Sequence, residues 1–145
     1  MKSTTYATEL LELVLNNVAL PLIGDASGLL PSAADGNLYV ALHTADPGAG
    51  GNQTTSEAAY TNYNRIPVAR DGAQWTVAAG VGENAFDLSG NICTAGSAAV
   101  TYVSLGTASS GTGKILYSGL LTTPIAISVG INPAFPAGDL TISES

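Results

Sequence analysis

Apolar residues dominate positions 3–20 of the chain and are interrupted by one narrow polar stripe. Glu9, Glu12 and Asn16 recur at spacings of three and four residues, which places them on one side of a helix. Hydroxyl residues at the start can cap this helix, and Pro21 ends the pattern. The segment therefore predicts an α-helix over 3–20. Its wide apolar surface packs either across one end of a sheet or on a neighbouring subunit.

Beyond residue 36 the hydrophobic pattern changes to a period of two. In Leu38–His43, Leu, Val and Leu alternate with Tyr, Ala and His, as in a strand. Together with this segment, about eight short strands are predicted, the others being about 60–70, 74–78, 85–88, 99–106, 114–121, 125–129 and 139–143. The pattern predicts a mainly β fold, an antiparallel β-sandwich or jelly-roll-like domain with one N-terminal α-helix. We interpret residues 1–145 as a single domain, with the sandwich over 36–145.

Proline and glycine punctuate these predicted strands. Pro67 has no N–H to donate, which predicts an edge strand or a bulge there. The segment 48–59, GAGGNQTTSEAA, is small and polar, so we expect a mobile loop at about 48–59 without buried residues. The glycine-rich segments 48–51 and 80–82 lack the Lys-Ser/Thr ending of a phosphate-binding loop. We expect both to be turns.

One strand-and-turn sequence occurs twice. Residues 39–48 and 102–111 share Tyr, Val, Leu, Thr, Ala and Gly in the same order and spacing. We interpret them as two copies of one strand-and-turn unit, paired across the sandwich. The second copy has Gly106 in place of His43 and Ser109 in place of Asp46. The strand and its turn therefore do not require the histidine.

Charge is scarce in this chain and mostly negative. Only 10% of the residues are charged while 46% are hydrophobic, which suggests that much of the surface meets other protein. Four basic residues against eleven acidic ones give a net charge of −7. This balance disfavours direct nucleic-acid binding and an anionic membrane surface. We expect neither a signal peptide nor a transmembrane segment, because no apolar run approaches the ~20 residues of a span.

The residues that could carry chemistry do not form a recognisable set. Cys93 is the one cysteine, which excludes an intrachain disulfide and multi-cysteine metal sites, and no basic residue near it would activate the thiol. A Gly-x-Ser-x-Gly elbow and an alternating acidic calcium loop are both absent. We expect Asp46 to cap its own turn and His43 to be a solvated or hydrogen-bonded strand end. The sequence thus predicts no enzyme, catalytic residue, cofactor or metal.

In the order and spacing of several motifs, the chain resembles a family of small tailed-bacteriophage virion structural proteins. The resemblance rests on LYVALHTADPG, an arginine-containing strand, KILYSGLL with its preceding glycine, and a closing FPAGDLTI: Leu38–Gly48, Tyr63–Arg70, Gly113–Leu120 and Phe135–Ile142. Family members are labelled as tail-fibre, decoration or minor structural proteins. The resemblance implies a virion protein without catalytic residues, assembled in the host cytoplasm.

Three roles are compatible with such a protein. Small size, acidity and the lack of a fibre repeat favour a capsid decoration (cement) protein that binds the major capsid protein and copies of itself. The first alternative is a tail, collar or fibre component. The second is a host-glycan-binding module, in which aromatic residues would stack on sugar: Tyr60, Tyr63, Trp75, Tyr102 and Tyr117.

Any of these roles requires an interface with a partner. The helix and the 48–59 loop are the expected contact segments, and edge strands could also pair with a neighbour. The candidate interface residues are Leu10, Leu11, Val14, Val18, Asn52, Gln53, Tyr60 and Tyr63.

Overall fold

The computed structural model describes residues 1–145 and contains one helix and nine strands. They are α1 Thr4–Asn16, β1 Asn37–His43, β2 Ile66–Ala69, β3 Trp75–Ala78, β4 Val81–Asn84, β5 Leu88–Ser89, β6 Ala98–Gly106, β7 Ile115–Ile127, β8 Ala134–Phe135 and β9 Thr141–Ser143. The sheets have the orders β2-β1-β6-β7, β3-β4-β9 and β5-β8. The predicted class, mainly β and antiparallel with one N-terminal helix, is confirmed, and it is consistent with a β-sandwich-like domain.

The chain divides into two compact units. The first comprises Met1–Gly36, Ala69–Leu88 and Phe135–Ser145 and contains α1 with the three-stranded sheet. The second comprises Asn37–Val68 and Ser89–Ala134 and contains most of the four-stranded sheet. Both units are built from segments that are distant in sequence.

Helix α1 is shorter than its hydrophobic pattern predicts. The Ser3 hydroxyl accepts the N–H of Tyr6 and caps the start. At the other end Asn17 adopts a left-handed conformation with φ 56°, and the N–H of Val18 bonds back to the carbonyl of Glu12. The predicted end at residue 20 is therefore wrong by four residues, because the backbone reverses while the apolar pattern continues.

The apolar face of α1 packs on the sheet of its own unit. Ala7, Leu11 and Leu15 are buried, and α1 contacts β3 and β4. Leu15 lies so close to Gly82 that a Cβ at that position would overlap its side chain. Of the two packing modes left open by the sequence, the structure shows helix against sheet.

Several predicted strands have different bounds. The predicted strand 60–70 forms only at Ile66–Ala69, and 85–88 is reduced to Leu88–Ser89. The expected turn at 80–82 is a turn only at Gly80, which has φ +78°, because β4 begins at Val81. The predicted strands 114–121 and 125–129 are one continuous strand, β7, with a register shift opposite Thr101. Pro67 lies on the edge strand β2, as predicted.

The two copies of the repeated sequence are direct neighbours in one sheet. Strands β1 and β6 pair antiparallel, so the expectation that they face each other across a sandwich is wrong. Ala41 and Ser104 occupy the same place in the two copies and pair with each other. A local twofold axis therefore passes between these two residues.

Candidate functional site

One face of the β1–β6 pair carries small and polar residues between two tyrosines. Residues paired directly across an antiparallel ladder share a face, which places Ala41, His43, Ser104 and Gly106 on the same side, and all four are buried. The half-buried Tyr39 and Tyr102 lie on this face too, opposite Gly106 and His43. The segment between β1 and β2 lies over this face, since its Thr55 and Gln53 reach His43 and Gly106. We call the polar groups between this segment and the sheet the loop lock.

His43 is the first anchor of the loop lock. Its Nδ1 lies 2.8 Å from the Thr55 carbonyl oxygen and its Nε2 lies 2.7 Å from the Ser104 hydroxyl. A carbonyl only accepts, so Nδ1 donates, and in the neutral ring Nε2 accepts from Ser104. The pair has the spacing of a Ser–His catalytic dyad, but His43 is 0% and Ser104 2% exposed. His43 is thus hydrogen-bonded, as one of the two expectations held, and it is not solvated.

Gln53 is the second anchor. Its Oε1 accepts the N–H of Ala108 at 2.9 Å, and its Nε2 donates to the Tyr39 carbonyl at 3.5 Å. The side chain is completely buried beside Gly106 and Gly113, where any Cβ would overlap it. This explains why the second copy of the repeat carries glycine where the first carries His43. The expectation that 48–59 contains no buried residue is wrong.

Arg65 and Glu57 form a charged anchor. The guanidinium donates to both carboxylate oxygens, from Nε to Oε1 at 2.7 Å and from Nη2 to Oε2 at 2.9 Å. It also donates to the carbonyls of Ala108 and Gly111 in the β6–β7 connection. The hydrogen bond to Glu57 raises the pKa of Arg65. A bidentate pair of this kind fixes three chain segments in one geometry.

Tyr63 extends the loop lock towards β1. Its hydroxyl donates to Glu57 at 2.8 Å and accepts the N–H of Leu42 at 3.1 Å. Burial raises the pKa of Tyr63, against a smaller lowering by the Leu42 N–H. The phenol therefore stays protonated and keeps both bonds well into the alkaline range.

The remaining reactive side chains have structural partners. Cys93 is buried, and its thiol bonds to the carbonyls of Ala95 and Gly96. Asp46 accepts the N–H of Gly48 at 2.8 Å and thus caps its own turn, as predicted. No group of three or more His, Cys, Asp or Glu side chains is arranged to hold a metal ion.

A second polar cluster holds the end of α1 in the first unit. Arg70 donates to the carbonyls of Val14 at 2.7 Å and Leu13 at 2.6 Å, which have no partner within the helix. Its Nη1 also bonds to the Ser32 hydroxyl, and Asn17 accepts the Ser32 N–H. A cation at a helix C-terminus also complements the macrodipole. This cluster ties the segment after α1 back to the helix.

The segment held in this way presents a compact set of exposed apolar side chains. The backbones of Leu20 and Leu29 pair, and Asp25 caps the turn between them. Leu22 and Leu30 are 79% and 69% exposed. We call residues 18–30 the apolar hairpin, and its exposed large residues are Val18, Leu22, Ile23, Leu29 and Leu30.

The predicted interface residues lie in different environments. Leu11, Gln53 and Tyr60 are buried and make their contacts within the chain. Leu10, Val14, Asn52 and Tyr63 are half-buried, and Val18 is exposed. Their role as an interface stays a prediction. The sequence reasoning missed the rest of the apolar hairpin, although four large aliphatic residues within a Gly-, Ser- and Pro-rich loop were a usable signal.

The five aromatic residues considered for sugar binding do not all reach solvent. Tyr60 and Trp75 are buried, and the Tyr60 hydroxyl donates to the Asn91 carbonyl. The rings of Tyr60 and Tyr63 meet edge to face at 5.4 Å. These contacts give Tyr60 a packing role.

The one helix, α1, is not long and apolar enough to span a lipid bilayer. A search of curated proteins found no match to the chain. Residues 2–143 match the model of a family described as podophage GP4 fiber I protein gp80. That description agrees with the predicted phage virion protein, and it favours the tail or fibre alternative over capsid decoration. The chain therefore belongs to the podophage fiber I protein gp80 family of phage structural proteins.

Proposed function

We propose that the chain is a non-enzymatic structural component of a podophage tail fibre. The observation that carries this proposal is the family match over residues 2–143, which includes both compact units. The chain would act by contact with other virion proteins and with copies of itself.

A structural role agrees with the state of the reactive side chains. His43, Ser104 and Cys93 are all buried and hydrogen-bonded within the chain. A nucleophile and its general base must reach the substrate, and these side chains do not reach the surface. Their hydrogen bonds instead hold loop segments of the chain in place.

The apolar hairpin is the surface that we assign to contact with another virion protein. It projects large aliphatic side chains while the Arg70 and Asn17 cluster fixes its base. Burial of one such leucine contributes roughly 1.5–3 kcal/mol before the costs of association. A preordered hairpin lowers that cost, because little backbone freedom is lost on binding.

Charge limits the kind of surface that the hairpin can meet. Three of the four basic residues are used inside the chain, with Lys2 paired to Glu144 and the two arginines in the clusters described above. Few basic side chains are therefore left at the surface to balance the net charge of −7. We expect a partner surface that is apolar at its centre and neutral or basic at its rim.

Imaging of particles produced without this chain tests the proposed location. The fibre account predicts an intact shell with fibres that are shortened or missing. A normal set of fibres on particles with a weakened or altered shell would contradict it and would favour capsid decoration.

Hairpin variants test the attachment surface separately. Leu22→Ser combined with Leu30→Ser should fold normally and fail to enter particles, because the apolar contact is lost. The matched control is Ile92→Ser, since Ile92 is also an exposed aliphatic residue, at 48%, and lies outside the hairpin. Incorporation of both variants at the wild-type level would remove the hairpin from the proposal.

A further inference from the structure

The outer strand β7 is the longest strand of the protein and has an open edge. It spans thirteen residues, Ile115–Ile127, at the end of the order β2-β1-β6-β7. Its ladder is formed with β6 alone, and no other backbone hydrogen bond outside the strand ladders involves residues 115–127. Alternate N–H and C=O groups along an edge strand point away from the sheet. The backbone of β7 is thus available for a further strand.

The two edges of this sheet differ in how they are protected. Strand β2 has four residues and contains Pro67, and short length and proline both discourage pairing with another chain. Strand β7 has no charged residue, and the stretch from Ile115 to Thr123 has no proline. The centre of that stretch is exposed, with Leu120 67% accessible. Within β7, Pro124 is the one residue that discourages pairing with another chain in this way.

We infer that β7 pairs antiparallel with the β7 strand of a second copy of this chain. This deepens the proposed function by naming the surface through which copies meet, and it rests on that proposal only for its setting in the virion. Pairing about a twofold axis requires a strand to complement only itself. A second copy therefore satisfies the open backbone groups without any other partner protein.

The distribution of charge supports a second copy as the occupant. Two chains of net charge −7 repel each other, so they should meet where charge is lowest. Strand β7 has no charged side chain, which avoids like charges opposite each other in the new ladder.

Strand pairing alone buries a modest area. The stretch 115–123 is ~30 Å long and presents an edge ~10 Å deep, or ~300 Å² per copy. A stable interface buries roughly 800 Å² per partner. We therefore expect a concentration-dependent monomer–dimer equilibrium for the free protein, which the high local concentration within a fibre shifts to the paired state.

Sedimentation of the purified full chain across a wide concentration range tests the pairing. Wild type should dimerise, and Leu120→Lys should raise the dissociation constant at least tenfold, because two lysines then meet near the axis. Val129→Lys is the matched control, since Val129 is 65% exposed and lies outside β7. It should leave the equilibrium unchanged.

Hydrogen exchange locates the contact independently of any substitution. Amides within 115–123 should exchange more slowly at high than at low protein concentration. A protein that stays monomeric at all concentrations would overturn the inference. A dimer that resists Leu120→Lys and leaves these amides unprotected would also overturn it. Either failure leaves the fibre location intact, because that is measured on particles.

Discussion

Gly106 is the residue at which β6 makes room for another segment. The side chain of Gln53 fills the position where a Cβ would lie. Gly106→Ala should therefore lower the free energy of unfolding by about 1–3 kcal/mol through overpacking. Denaturant unfolding of the purified protein measures this loss.

A double substitution separates overpacking from an effect on the strand itself. Gln53→Ala removes the overlapping atoms, so Gly106→Ala should cost much less in that background than in the wild type. Gly119→Ala is the matched control, because a Cβ added at Gly119 would have no other atom within 4 Å. Equal costs in both backgrounds would show that Gly106 is not required for the approach of Gln53.

Arg65 is the residue on which the loop lock depends most. Arg65→Ala leaves the Glu57 carboxylate without its cationic partner and the Ala108 carbonyl without its donor, so we expect a loss of about 3–5 kcal/mol in unfolding free energy. Lys2→Ala breaks an ion pair whose lysine is 35% exposed, and it should cost less than about 1 kcal/mol. Similar losses for both variants would contradict the central place of Arg65.

Tyr63 gives the loop lock a pH dependence. Burial raises the pKa of its phenol above the ordinary value of 10.0, so above that pH the unfolded chain loses a proton that the folded chain retains. Stability should be undiminished by this group below about pH 10 and should fall as the pH rises further. Tyr63→Phe should be less stable at pH 8 but should lose less stability between pH 9 and pH 12. Tyr6→Phe, at an exposed position, is the control.

At the scale of elements, hydrogen bonds from Arg70 hold the end of α1 and the segment that contains the apolar hairpin together. Arg70→Gln removes donors to the Leu13 and Val14 carbonyls and to Ser32. We expect faster amide exchange over 18–32 with little change in β6. Exchange that accelerates equally in both segments would show global destabilisation instead of release of the hairpin.

Element types followed from the sequence more closely than element bounds. Period-two alternation located β1, and the predicted strands 74–78 and 99–106 correspond to β3 and β6. It failed at 60–65, where Tyr60, Tyr63 and Arg65 looked like strand residues but are held by side-chain hydrogen bonds in irregular backbone. Such bonds join residues whose proximity depends on the tertiary fold.

The candidate site was less predictable for the same reason. Gln53 appeared to belong to an exposed polar loop, and only the approach of 48–59 to the sheet shows that it fills the space beside Gly106. The repeated sequence did mark two strands that belong together, β1 and β6. Their arrangement was predicted wrongly, because similarity between two strands does not reveal whether they pair side by side or face each other.

For the whole molecule, composition indicated a protein that meets other proteins, and the structure changes where that contact is expected. The apolar face of α1 and much of 48–59 are used within the chain. The apolar hairpin and the edge of β7 remain exposed. A fibre subunit needs surfaces of these two kinds, one for another virion protein and one for its own copies.

The number of copies per virion tests the fibre assignment most directly. Quantitative mass spectrometry of purified particles, with the major capsid protein as internal reference, measures it without any variant. The fibre account predicts tens of copies or fewer, since fibres occupy few sites on a particle. Hundreds of copies, in fixed proportion to the major capsid protein, would contradict it and would identify a capsid decoration protein.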